Sequence, residues 1–84
     1  MVEVLRSAMR HGIPGEDIRH AIDNAVAVEE VGDTVRWLVL GPDRAANLLE
    51  LVVMDRPVGP AVIHAMPMRA AYRRLLPKGR QEQA

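Results

Sequence analysis

T-V-R-W-L-V-L-G-P-D-R-A-A-N-L-L-E-L-V-V-M, residues 34–54, sets two apolar runs on either side of a turn-forming segment. Thr34–Leu40 is rich in β-branched and aromatic residues and closes at Gly41-Pro42-Asp43, and Asn47–Met54 closes at Asp55-Arg56-Pro57-Val58-Gly59-Pro60. Runs of this length between Gly/Pro/Asp clusters read as strands. A third run, Ala61–Met66, follows the second turn. Both connections have hairpin length, so the three strands are expected to form an antiparallel meander. The two middle strands are apolar on both faces, which requires a covering layer on each side.

Working toward the N-terminus, Val26, Val28 and Val31 before Gly32-Asp33 predict one more strand. Ahead of it, Ile13-Pro14-Gly15-Glu16-Asp17-Ile18 reads as a helix start. Proline suits the first turn, acidic residues suit the positive end of the helix, and Ile13 and Ile18 have the spacing of a hydrophobic staple. Ile18, Ala21, Ile22 and Ala25 form the buried stripe, leaving Arg19 and His20 as surface residues. Val2, Leu5, Ala8 and Met9 recur at helical spacing before Gly12, which predicts an additional first helix with His11 in its last turn.

Toward the C-terminus, a basic helix is expected from Pro67, with Met68, Ala71, Leu75 and Leu76 as its apolar stripe and Pro77-Lys78-Gly79 as its end. The predicted order is α-α-β-β-β-β-α. This is an α+β fold with two N-terminal helices, a three- to four-stranded antiparallel meander sheet and a C-terminal basic helix. One domain is expected over residues 1–80, with a polar tail at 81–84.

The chain has 84 residues, no cysteine and no phenylalanine, so its core is aliphatic and neither disulfides nor thiolate chemistry is available. Lack of cysteine fits a reducing cytoplasm. Charge appears at Glu3 and Arg6, so the N-terminus reads as neither a signal peptide nor a membrane span. Net charge is zero but unevenly spread. Glu16, Asp17, Asp23, Glu29, Glu30 and Asp33 make the first half acidic, and from Val62 to Arg80 the ionisable residues are His64, Tyr72 and the cations Arg69, Arg73, Arg74, Lys78 and Arg80.

His11, His20 and His64 do not have metal-ligand spacing, the glycines form no phosphate-cradling loop, and the one serine, Ser7, falls in the first predicted helix. No metal or other cofactor is therefore expected. What stands out is one ionisable residue inside each of three apolar strands: Arg36, Glu50 and His64. They share a face if the strand registers agree. A purely structural arrangement would pair Arg36 with Glu50 across the strands and leave His64 at an edge.

The strand-to-helix corner V-I-H-A-M-P-M-R-A-A-Y-R-R-L-L, residues 62–76, presents His64, Arg69 and Tyr72 close together in sequence. Such a set suits acid–base cleavage of RNA. One group takes the 2′-hydroxyl proton, another protonates the leaving 5′-oxygen, and cations stabilise the phosphorane. Imidazole serves either proton-transfer role. Arg69 and Arg73, one α-helical turn apart, would grip phosphate together, and Tyr72 would stack on a base or donate to phosphate. The candidate catalytic set is therefore His64, Arg69, Tyr72, Glu50 and Arg36, with Arg73, Arg74 and Lys78 as RNA-binding cations.

R-H-G-I-P-G-E-D-I, R-W-L-V-L-G, N-L-L-E-L-V-V and the 62–76 corner occur in an order and spacing that resembles the BrnT-like branch of the RelE superfamily of bacterial toxins, over about Met9 to Leu76. The resemblance implies a compact, cofactor-free ribonuclease from a type II toxin–antitoxin pair. It also implies a cognate antitoxin, typically with a ribbon-helix-helix domain, and operator DNA bound only through the complex. Met66, Pro67 and Met68 stand where that family carries an arginine-rich run, so Arg69 is the first arginine and His64 precedes it. Two further readings are a non-catalytic module that binds protein or nucleic acid through its basic last helix, and a dimerisation domain.

Overall fold

The computed structural model describes residues 2–32 and 35–78. The predicted tail at 81–84, Gly79 and Arg80 beyond the last helix, and Asp33 and Thr34 lie outside the described residues. The elements are β1 (Glu3–Val4), an N-terminal 3₁₀ helix (Arg6–Met9), α1 (Gly15–Asp23), β2 (Ala27–Val31), β3 (Arg36–Pro42), β4 (Leu48–Met54), β5 (Ala61–Pro67) and a C-terminal 3₁₀ helix (Ala70–Leu75). One five-stranded sheet has the order β1-β5-β4-β3-β2, with β1 parallel to β5 and every other pair antiparallel.

This corrects the expected architecture at both ends. The molecule is α+β, but its sheet is mixed, and α1 is its one helix of substantial length among the described residues. Residues 2–9 do not form the first predicted helix. An isolated helix so short does not recover its nucleation cost. Hydrogen bonds to the edge of β5 win instead, from the Glu3 amide to the Pro60 carbonyl and from the Leu5 amide to the Val62 carbonyl, each 3.1 Å. At the other end, Pro67 and Pro77 bracket the segment. Leu76 precedes a proline, which disfavours helical backbone, and it sits extended at φ −72°, ψ 150°. Within that bracket the chain closes i→i+3 bonds, from the Tyr72 amide to the Arg69 carbonyl and from the Leu76 amide to the Arg73 carbonyl at 3.1 Å each, and a 3₁₀ helix forms.

α1 begins after Pro14 and carries Glu16 and Asp17 in its first turn. Ile13 packs against the cluster that contains the fully buried Ile18, closing the staple. His20 is not the surface residue expected from sequence. It is partly buried, with Nδ1 2.9 Å from the Pro42 carbonyl oxygen, and ties α1 to β3. Gly41 and Pro42, expected from sequence to turn, belong to β3, both buried, with Gly41 opposite Leu49. The turn itself is Asp43–Asn47. There the Asp43 carboxylate accepts from the Ala45 and Asn47 amides at 2.9 and 2.8 Å, and Ala46 sits at φ +70°.

Two apolar layers flank the sheet. Ala8, Ile18, Ala21, Val39, Leu49, Leu51, Val53, Val62 and Ala65 form one core under α1 and the N-terminal 3₁₀ helix. Leu38, Leu40 and Leu76 form the other, joined by Leu48, Met68, Tyr72 and Leu75. A bulge in β5 sets which residues face which layer. Val52 pairs with His64 and Val53 with Val62, leaving Ile63 as the extra residue. Val62 therefore enters the α1 core while His64, two residues on, faces the C-terminal 3₁₀ helix.

Candidate active site

On that second face, cross-strand pairing aligns Leu40 with Glu50 and Glu50 with Met66, and in the next row Leu38 with Val52 and Val52 with His64. Glu50 and His64 are thus diagonal neighbours. Glu50 is the one buried charged residue among those described, at 1% exposure. Nearly all its partners come from Arg69. The Arg69 backbone amide and Nε donate to Oε1 at 3.0 and 2.9 Å, and Nη2 donates to Oε2 at 2.7 Å. The His64 Nε2 lies 3.5 Å from Oε2. This clamp depends on the corner after Pro67, where Arg69 caps the C-terminal 3₁₀ helix in extended conformation and turns both its amide and its side chain onto β4.

Burial raises the proton affinity of the Glu50 carboxyl, the largest single influence. The Arg69 side-chain and backbone hydrogen bonds and its charge, with help from His64, together outweigh burial and hold the carboxyl below its usual range. Hydrogen bonding and attraction from Glu50 raise the Arg69 guanidinium in turn. Glu50 is therefore a poor general base: it is ionised, saturated with donors and shielded from solvent. Its role is to hold Arg69 and to face the Nε2 side of His64. An imidazole whose Nε2–H points to a carboxylate presents its Nδ1 lone pair to a substrate.

Arg69 keeps half of its side chain in solvent, and its guanidinium lies over the Tyr72 ring at 5.5 Å, with Nη2 3.5 Å from the phenolic oxygen. In a 3₁₀ helix residues three apart are eclipsed, so Arg69 and Tyr72 stack on one side of the corner. Sequence reading missed His11. Its ring meets His64 edge-on, with centroids 5.5 Å apart and planes at 74°. The N-terminal segment carries it there by running along the β5 edge, where Ser7 Oγ donates to the Ile63 carbonyl at 3.2 Å. No local signal links residues so distant in the chain.

The structure gathers His64, Arg69, Tyr72 and Glu50, and adds His11. Arg36 stands apart. It is exposed at the start of β3, four residues from Leu40 and so ~13 Å along the strand from the Glu50 row. The cross-strand Arg36–Glu50 pair considered from sequence does not form. The predicted Arg69–Arg73 phosphate grip is also undone, because a 3₁₀ helix sends residues four apart in different directions. Arg73 lines a hollow with Asn47, Leu48, Pro67 and Met68, whereas Arg74 lines another with Tyr72, Glu29 and Glu30. Lys78 is exposed beyond Pro77.

Among the described residues no group of three or more His, Cys, Asp or Glu side chains is arranged to hold a metal ion. No helix among them is long and apolar enough to cross a membrane. Comparison of the chain with protein-family models, curated proteins and solved structures finds no match.

Proposed function

We propose that the protein is a small metal-independent ribonuclease in which His64 and His11 move protons and Arg69 and Tyr72 hold the scissile phosphate. The observation that carries this reading is the convergence of His11, His64, Arg69 and Tyr72 around one buried carboxylate. His64 takes the proton from the 2′-hydroxyl, the 2′-oxygen bonds to phosphorus, and the P–O5′ bond breaks. His11 returns a proton to the 5′-oxygen, leaving a 2′,3′-cyclic phosphate and a 5′-hydroxyl. The Arg69 N–H groups not turned to Glu50 meet the charge that builds on the phosphorane oxygens. The resemblance to BrnT-like toxins adds the setting: a cytoplasmic toxin, restrained by an antitoxin of ribbon-helix-helix type, with operator DNA engaged through the complex. The binding-module alternative is weaker, because the basic helix it relies on is a 3₁₀ segment whose arginines diverge.

The test is cleavage of a mixed-sequence RNA oligonucleotide by the purified chain in excess chelator, with product ends analysed by mass. Cyclic-phosphate ends are expected, and His64→Ala and His11→Ala should each slow the reaction by roughly 10²–10⁴-fold while keeping the wild-type circular dichroism. Wild-type protein that leaves RNA intact, or a folded His64→Ala variant that cleaves at the wild-type rate, would overturn the proposal. Induced expression in bacteria tests the toxin setting separately, through growth arrest that His64→Ala relieves.

A further inference from the structure

Beside the His64 centre, the same sheet face carries a hollow of about 240 Å³, lined by Glu29, Glu30, Leu38, Val52, Tyr72 and Arg74. Its floor continues the site. Glu29 pairs with Leu38, Leu38 with Val52 and Val52 with His64, so one cross-strand row runs from the imidazole to a carboxylate. That row spans three strand spacings, ~14 Å. Its middle is apolar, with Leu38 buried and Val52 half-buried, and Tyr72 stands as a wall shared with Arg69. Glu29 is exposed at the far end and enters no ion pair with another described residue, while Glu30, paired with Trp37 in the next row, projects from the other face of the sheet.

We propose that this hollow is the base-recognition pocket of the site and that it takes guanine. The inference rests on reading His64 and Arg69 as the phosphate end. A nucleotide whose phosphate lies there directs its base along the row, over an apolar floor and beside an aromatic ring, the surroundings in which unstacked RNA bases are held. The edge of the base then meets the Glu29 carboxylate, with the Arg74 guanidinium lining the same hollow. A carboxylate takes two hydrogen bonds from the adjacent N1–H and exocyclic amino group of guanine. Adenine and cytosine offer one amino group beside a ring acceptor, and uracil sets its single N–H between two carbonyls; each brings an acceptor against the carboxylate. Base contacts of this kind discriminate by roughly 10- to 100-fold.

Titration calorimetry of the intact protein with the 3′-monophosphates of guanosine, adenosine, cytidine and uridine tests the pocket independently of cleavage. Guanosine 3′-monophosphate should bind at least about tenfold more tightly than the other three. Glu29→Gln, at an exposed position, should erase that preference while leaving a weaker, base-indifferent affinity, and Glu30→Gln, on the other face, should keep it. Leu38→Arg, which puts a cation into the floor, should weaken all four ligands. Guanosine preference lost on glutamine substitution, in a protein that does not cleave RNA, would support the pocket and remove the nuclease reading. RNA cleavage with equal binding of the four nucleotides, or a guanosine preference unchanged by Glu29→Gln, would overturn the pocket.

Discussion

Replacing Gly41 with alanine tests how α1 is seated on the sheet. A Cβ built on Gly41 runs into the Ala21 carbonyl oxygen and stands 2.9 Å from its carbonyl carbon and 3.1 Å from its Cα. These are backbone atoms of α1 and cannot rotate aside. Ordinary carbon contacts lie at roughly 3.5–4.0 Å, so the helix must retreat by about 0.5–1 Å. Overpacking of this kind costs about 1–3 kcal/mol. The retreat also forfeits a quarter to a half of the local packing attraction, and the fully buried Ile18 contributes about 1.5–3 kcal/mol by its burial, so roughly another 0.5–1.5 kcal/mol is lost. The expected loss is about 2–4 kcal/mol, from a total that for a chain of this length is roughly 4–13 kcal/mol. Urea unfolding followed by circular dichroism should show a lower midpoint at unchanged slope, and Tm should fall by roughly 8–30 °C. Glycine-to-alanine changes at unstrained sites stabilise by about 0.4–1 kcal/mol through the unfolded chain, so the two outcomes differ in sign. A midpoint equal to or above the wild type would refute the close approach of α1 to β3.

The Glu50 clamp predicts an acid-sensitive fold. Because the folded carboxyl is held below its ordinary range, its stabilising contribution is complete above the unfolded pKa, near 4.5, and is lost as pH falls through the folded value. Urea midpoints measured across roughly pH 2–6 should decline below that point in the wild type and decline less in Glu50→Gln; parallel curves would show that Glu50 is not the group responsible. At Ala46, φ +70° is a backbone conformation that glycine adopts freely and alanine does not, so Ala46→Gly should raise stability by about 0.5–1 kcal/mol in the same unfolding assay, and a lowered midpoint would contradict the turn geometry.

Much of the sheet was legible from local pattern. The runs around Trp37, Leu51 and Val62 each hold enough consecutive apolar residues to need burial, and the Gly, Pro and Asp clusters between them leave room for little but hairpins. Apolar faces on both sides of β3 and β4 require two covering layers, and both are present. Ile13, Pro14, Glu16 and Ile18 specify a helix start through contacts within a single turn, which a sequence carries in full.

Tertiary structure decided the rest, because the deciding interactions cross long stretches of chain. Val2 to Met9 is compatible with helix or strand, and the open edge of β5 settled it. Gly41 reads as a turn until α1 crosses it. His64 alternates with Val62 in sequence, yet the bulge at Ile63 sends the two to opposite faces. That register places His64 beside Glu50, pairs Glu50 with Arg69 rather than Arg36, and leaves His11 free to arrive from the other end of the chain. Side-chain alternation is a local property, so the sequence determined which residues needed burial. Register and edge pairing depend on the neighbouring strand, and only the folded sheet determined which polar groups meet.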